Sequence, residues 1–352
     1  MNEYSTLVTS AQWRQNPERD ALIERKFFSD SIGDKYDVQK YIKLAMNEVD
    51  EKYTQKTLQA GERVKIHLQR EQTWATYKYQ GSVMTKTHIK GYSDIDLLTI
   101  CDKFYSWDSS GVNKILDSIT EKQRFYQTQI DKLQYEKTLD SYKGDSLDDL
   151  RSMRLTNERV LQNTYDICDI SNPKAIMITN QDLHRDVDIV TSSWYDDVQS
   201  IISDKGDFRG VQIYNKDNHL KESTDFPFLS IKRINERGSS THGRIKKMIR
   251  FLKTLKADSN QDVKLNSFEI NAICYNIPTT EYDDATYLQL VIVLYLEFKK
   301  ISSDSTYANQ IVSVDGREYI FRGKPNRLTE FQKLNSELLK IINDLINLKL
   351  IS

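Results

Sequence analysis

The chain has 352 residues, enough to bury a large core in one big or two closely packed lobes. Fifty basic against fifty-one acidic residues give a net charge of -1, so no global field draws the protein to nucleic acid or membrane, and any such contact must come from a local patch. Cys101, Cys168 and Cys274 lie far apart with no CxxC or Cys/His spacing, which argues against a zinc ribbon or disulfide scaffold and for a reducing, cytoplasmic setting.

The first stretch, MNEYSTLVTSAQWRQNPERD, lacks an apolar signal core, and no run approaches the ~18 apolar residues needed to span a bilayer. From Asp34 to Ala60 apolar residues recur at helical spacing (Val38, Ile42, Ala45, Val49, Tyr53), and Gly61 offers a stop, predicting one long amphipathic helix. Thr73 to Tyr79 is aromatic and β-branched and reads as a strand leading into Gly81-Ser82. Ser93 to Ile100 reads as the next strand. Polar, Tyr- and Gln-rich helices are expected over 112–139 and 146–164, then strands over 166–170, 175–179 and 184–191, and a strand and loop from Gly206 to Asp225. After Pro227 helices dominate: 229–237, 243–257, 266–276 before Pro278, and 284–301. This last run, ATYLQLVIVLYLEFKK, is apolar almost all round and is expected at the buried centre of the second lobe. A hairpin around Asp315-Gly316 and an amphipathic helix over 329–350 close the chain.

The chemistry concentrates in GSVMTKTHIKGYSDIDLLTI, Gly81 to Ile100. Strand periodicity puts Asp94 and Asp96 on one face, where two carboxylates repel unless a cation sits between them; hard oxygen ligands suit Mg²⁺ bound together with substrate phosphates. Gly81 lets backbone approach a phosphate, and Ser82 adds a hydroxyl and N–H donors. Together they form the pattern GSx(11)DhDhh, with h apolar. The intervening TKTHIKGY, Thr85 to Tyr92, must be a loop, and its Lys86, His88 and Lys90 read first as a mobile basic segment; His88 has no partner spaced for a metal. Further on, Asp186 and Asp188 share a face in HRDVDIV. Trp194 and Tyr195, just beyond, read as core aromatics first and base-stacking ones second. Between Lys232 and Lys256 basic residues outnumber the single acid Glu236, and Lys246, Arg250 and Lys253 project from one flank of a helix whose packing stripe is Ile245, Met248, Ile249, Leu252 and Leu255.

The Gly-Ser and Asp-Ile-Asp pattern resembles the nucleotidyltransferase superfamily that includes DNA polymerase β, and within it the cGAS/DncV-like nucleotidyltransferases of bacteria. Asp188 in HRDVDIV looks like that family's third carboxylate, with Asp186 as the fallback. KMIRFLK, Lys247 to Lys253, is similar to the basic helix that reaches the donor triphosphate, and NSFEI, Asn266 to Ile270, to the helix start whose serine contacts it and whose aromatic stacks on the base. The matches run from Gly81 to about Pro278.

The resemblance implies an α+β fold: a polymerase β-like core with a mixed sheet over residues 1–215, and a C-terminal helical lobe over 216–352 closing the nucleotide cleft, bridged by the long N-terminal helix. It implies catalysis and metal binding by Asp94, Asp96 and Asp188 with two Mg²⁺, Mn²⁺ being an alternative ion. Nucleotide binding would fall to Gly81, Ser82, Arg250, Lys253, Ser267 and Phe268. The implied enzyme is a monomer that joins NTPs (ATP, GTP or pyrimidine NTPs) into a cyclic di- or oligonucleotide with release of pyrophosphate. The product would act on a separate effector in antiphage defence, with an activating ligand or RNA as a further partner and no membrane. The alternative activity is nucleotidyl transfer to RNA, a protein or a small-molecule acceptor. A degenerate, non-catalytic nucleotide-binding module ranks last, because all three carboxylates are present.

Overall fold

The structure is a computed structural model and describes residues 4–15, 34–90 and 94–351. The chain forms two compact units: Lys56–Gly81 with Asp94–Lys232, and Met1–Gln55 with Ser82–Ser93 and Arg233–Ser352. This division departs from the expected one at 215/216. The N-terminal helices group with the C-terminal ones, as does the segment that begins at Ser82. Cysteines 101, 168 and 274 are all free, and among the described residues no helix is long and apolar enough to cross a membrane.

In chain order the elements begin with α1 (Tyr4–Gln15), α2 (Asp34–Met46) and α3 (Glu51–Gln69). The single helix expected over 34–60 is thus two. Met46 O accepts from Arg250 Nε at 2.8 Å, while the Asp50 N–H turns to Gln15 O at 3.4 Å. Asp50 then starts the next helix, its Oδ1 accepting from Lys52 N at 2.9 Å. Gly61 does not stop α3. Its value is the missing Cβ, which would sit 2.8 Å from Tyr79 Cε1 of the neighbouring strand.

Next come β1 (Ala75–Gln80), β2 (Ile95–Trp107), α4 (Ser109–Leu116), α5 (Ile119–Lys122), α6 (Gln127–Thr138) and α7 (Ser146–Thr164). They are followed by β3 (Cys168–Asp169), β4 (Ile176–Asn180), β5 (Arg185–Asp196), α8 (Val198–Ile202), β6 (Gly210–Asn215) and β7 (Leu220–Lys221). The expected helix over 112–139 is three shorter ones, capped by the side chains of Asp108 and Ser118 at the first two N-termini. The sheet is mixed, in the order β1-β2-β5-β4-β3, with only β2 and β5 parallel; β6 pairs with the far half of β5 and carries β7.

The long strands β2 and β5 centre the sheet because both faces are covered, and Ile95, Leu97, Leu98, Ile100, Val187 and Ile189 are fully buried. On the face opposite the aspartates, buried Asn157 of α7 donates Nδ2 to Thr99 Oγ1 at 2.9 Å and to Thr191 Oγ1 at 3.3 Å. Those threonines are register partners on β2 and β5.

The chain ends with α9 (Pro227–Ser240), α10 (Arg244–Asp258), α11 (Ser267–Asn276), α12 (Tyr287–Ser303), α13 (Ser305–Ala308) and α14 (Pro325–Asn347). Between α13 and α14 the turn at Asp315-Gly316 holds a single bridge, Val312 to Tyr319, in place of a full hairpin. The second unit's core joins α1 and α2 to these helices through residues such as Tyr41, Ile42, Phe251, Leu294, Phe298 and Phe331. Apolar α12 buries Leu290, Leu294, Phe298 and Ile301, but Leu296 on its other side is exposed, so the helix is central without being enclosed.

Candidate active site

Asp94 immediately precedes β2 and Asp96 lies within it. Across the parallel ladder the register partner of Asp96 is Asp188, and on its other side the partner is Gln80, next to Gly81. Asp186 sits one step away, opposite Thr179, whose hydroxyl donates to its Oδ1 at 2.5 Å. Of the two candidates for the third carboxylate, Asp188 is therefore the one beside Asp96.

Electrostatics tie these groups together. Burial pushes the Asp188 carboxyl up to about 6, and the negative charges of Asp96, Asp94 and Asp186 add to the shift. Burial, then the charge of Asp94, raises Asp96 as well. The turn at Gly81 is built around the same carboxylate: its φ is +90°, and a Cβ there would lie 2.7 Å from Asp96 Oδ2.

Among the described residues no three His, Cys, Asp or Glu side chains form a ready-made metal cage. The donor set still suits Mg²⁺: it is all oxygen, with Asp96 and Asp188 on adjacent strands and Asp94 just ahead of the first, and it is partly charge-frustrated without a cation. Asp94, Asp96 and Asp188 are the residues that would hold it.

Ser82 opens a tight turn in which Lys86 N donates to Val83 O at 3.1 Å and Thr87 N to Ser82 O at 2.9 Å. Within the same unit, α9 and α10 grip this turn by its carbonyls. Asn235 Nδ2 donates to Met84 O at 3.2 Å, Arg250 Nη1 to Lys86 O at 2.6 Å, and Lys253 Nζ to Thr87 O at 3.2 Å. Arg250 and Lys253 are 2% and 7% exposed, so the flank that spacing predicts is buried at these two positions. Burial holds the Lys253 ammonium down at about 8 and the Arg250 guanidinium at about 10.

The third member of that flank, Lys246, donates to Asn235 Oδ1 at 2.7 Å, and Lys247 lies 4.9 Å from the Tyr287 ring centre. The helix stripe was legible from spacing. The reach of its cations into a loop more than 150 positions earlier was not.

The segment after Ser82 is not a loose basic loop over its described part. His88 is buried, its Nε2 lies 3.1 Å from Thr54 Oγ1, and burial together with Lys253 and Arg250 drives its pKa down to about 4. Gly91, Tyr92 and Ser93 lie outside the described residues.

Ser267 is exposed at the first position of α11, where Asn266 and Glu269 form a capping box. Phe268 packs against the helical core with part of its ring accessible. Trp194 is core: Arg209 stacks on it at 4.4 Å, and its Nε1 donates to Asp102 Oδ1 at 3.0 Å. No spacing rule flags Asn235 or Thr87, since lone polar residues carry no periodic signal.

Residues 232–343 match the family profile of the cGAS/DncV-like nucleotidyltransferase C-terminal helical domain. A c-di-GMP synthase of a Lachnospiraceae bacterium is 43% identical over 345 residues, 97% of this chain and 99% of the relative. One from Capnocytophaga granulosa is 50% identical over 341 residues, 96% of each. This chain belongs to the cGAS/DncV-like nucleotidyltransferase family. A STING-associated CdnE c-di-GMP synthase from Flavobacteriaceae sp. has a similar solved structure, with a TM-score of 0.88, 36% identity and 99% of each chain covered. Membership of the cGAS/DncV-like family makes the protein a nucleotidyltransferase of mixed α+β fold with a C-terminal helical domain.

Proposed function

We propose that this protein joins two GTP molecules into c-di-GMP, releasing two pyrophosphates, and that Asp94, Asp96 and Asp188 carry the reaction. The near full-length identity to two c-di-GMP synthases supports the choice of product. In each step a ribose hydroxyl oxygen bonds to the α-phosphorus of the other nucleotide, the bond from that phosphorus to the β-phosphate oxygen breaks, and pyrophosphate leaves. Mg²⁺, when bound, stabilises charge on the attacking and leaving oxygens.

The chain's own contribution is positional and acid–base. Asp96 and Asp188, locked as register partners, keep their carboxylates together. Asp188, with its raised pKa, accepts the proton of the attacking hydroxyl and passes it to water. Gly81 leaves room beside Asp96, and Ser82 offers its hydroxyl and N–H to a phosphate. Ser267 is a second hydroxyl contact for the triphosphate, and Phe268 an apolar surface for a base.

The STING association of the Flavobacteriaceae relative supports a separate effector of that kind as reader of the product, in a defence role. The test is incubation of purified protein with Mg²⁺ and each α-³²P-labelled NTP in turn, followed by phosphatase and chromatography. GTP alone should give a phosphatase-resistant product co-migrating with c-di-GMP. A product that requires ATP or a pyrimidine nucleotide, or label attached to RNA, protein or another acceptor, would overturn it.

A further inference from the structure

Helix α12 carries two apolar faces, and the fold uses one of them. Leu290, Leu294, Phe298 and Ile301 are buried on the side that packs against α2, α10 and α14. The opposite side is where a surface helix ordinarily turns polar. Here it shows Leu288, Ile292, Tyr295 and Leu296, spaced three and four apart in the manner of a helix-packing seam. Leu288 and Tyr295 lean on the core at the margins of this face. Ile292 and Leu296 lie outside that core, and Leu296 is 52% exposed. A contiguous apolar stripe of this kind marks a contact surface more often than a lone exposed leucine does.

Charge marks the two ends of the same helix. Asp283 and Asp284 precede it and Lys299 and Lys300 lie near its end, all four exposed. Lys300 sits 3.7 Å from the Tyr307 ring centre. Among the described residues Asp283, Asp284 and Lys299 form no ion pair. Acids first and bases last suit the dipole of the helix itself. Their spacing does more: at 1.5 Å per residue, Asp284 and Lys299 lie about 12 Å and 10.5 Å on either side of Ile292. A second α12 run antiparallel about a two-fold axis at Ile292 would lay Leu296 on the partner's Leu288 and bring Lys299 to the partner's Asp284. Parallel pairing would set like charges side by side.

We infer that the outward face of α12 is a homodimer interface, covered by α12 of a second copy of this chain in antiparallel register. This departs from the monomer that the family resemblance implies, and it stands whichever nucleotides the enzyme joins. One helix pair is a small interface, so the dimer is expected to dissociate with a Kd of about 10 µM.

Sedimentation velocity of the full chain from about 1 to 200 µM tests this, and the wild type should pass from monomer to dimer across that range. Leu296→Arg should weaken dimerisation at least about 30-fold and leave the melting midpoint unchanged, because that side chain is already exposed. Lys299→Asp places like charges together at both ends of the dimer and should raise Kd about tenfold or more. Adding Asp284→Lys to the same chain should bring Kd back to within about threefold of wild type. A chain that stays monomeric at the highest concentration would overturn the inference, including one that instead binds a different protein through Leu296. So would a dimer indifferent to Leu296→Arg, or a double reversal no better than Lys299→Asp alone. Should Leu296→Arg fail to fold, the charge-reversal pair decides by itself.

Discussion

Replacing Asp188 by Asn should kill the enzyme and stabilise the protein. Burial pushes the Asp188 carboxyl from its ordinary 3.8 up to about 6, and the charges of Asp96, Asp94 and Asp186 add to the shift. A raised carboxyl pKa means the folded state binds the proton more tightly, so stability falls as pH rises from about 4 to about 6 and the full penalty applies above that. At ~1.36 kcal/mol per unit the penalty is about 3 kcal/mol, and discounting for solvent screening of a half-buried group leaves roughly 1–2 kcal/mol. Asn keeps the shape and removes the charge.

Thermal unfolding in metal-free buffer at about pH 7.5 should then show Asp188→Asn melting roughly 1–3 °C above wild type. Near pH 5 the advantage should shrink by about half, because wild-type Asp188 is largely protonated there. Added Mg²⁺ should raise the wild-type midpoint more than the variant's, since binding to the folded state stabilises it. Product formation should drop by about 10²-fold or more. A variant that melts at or below wild type at pH 7.5, or whose advantage is the same at pH 5, would refute the electrostatic account.

Gly81→Ala should destabilise by about 1–2 kcal/mol and lower kcat at least tenfold, measured by melting and turnover, because the added Cβ meets Asp96 Oδ2 at 2.7 Å on a backbone with φ +90°. Asn157→Leu should cost about 1–3 kcal/mol in denaturant unfolding by removing the donor that the buried hydroxyl oxygens of Thr99 and Thr191 share between β2 and β5. Lys253, held at about 8 by burial, is neutral in the folded state at pH values where the unfolded chain is still protonated. Wild-type stability relative to Lys253→Met should therefore rise between about pH 8 and pH 10.5, by up to ~3 kcal/mol in paired urea titrations.

The elements were largely legible because their periods are local. Helix 146–164 and the strands carrying Asp96 and Asp188 follow from spacing and β-branching that neighbouring residues share. The break after Met46 and the continuation through Gly61 were not, since one depends on Arg250 claiming a carbonyl and the other on the ring of Tyr79. In both cases a distant side chain overrides the local signal.

For the proposed site, the sequence alone determined which residue types are available: a Gly-Ser turn, a DxD pair and a later DVD can be read from residue types and their order, because carboxylate alternation along a strand is a local property. Only the tertiary structure decided which members pair. Parallel register sets Asp188, and not Asp186, beside Asp96. Long-range packing buried two cations that spacing placed on one flank of a helix, and it joined them to carbonyls of the 82–88 turn. The physical reason is the same for both: register and burial are relations between segments far apart in the chain, and no pattern within either segment encodes which partner it will meet.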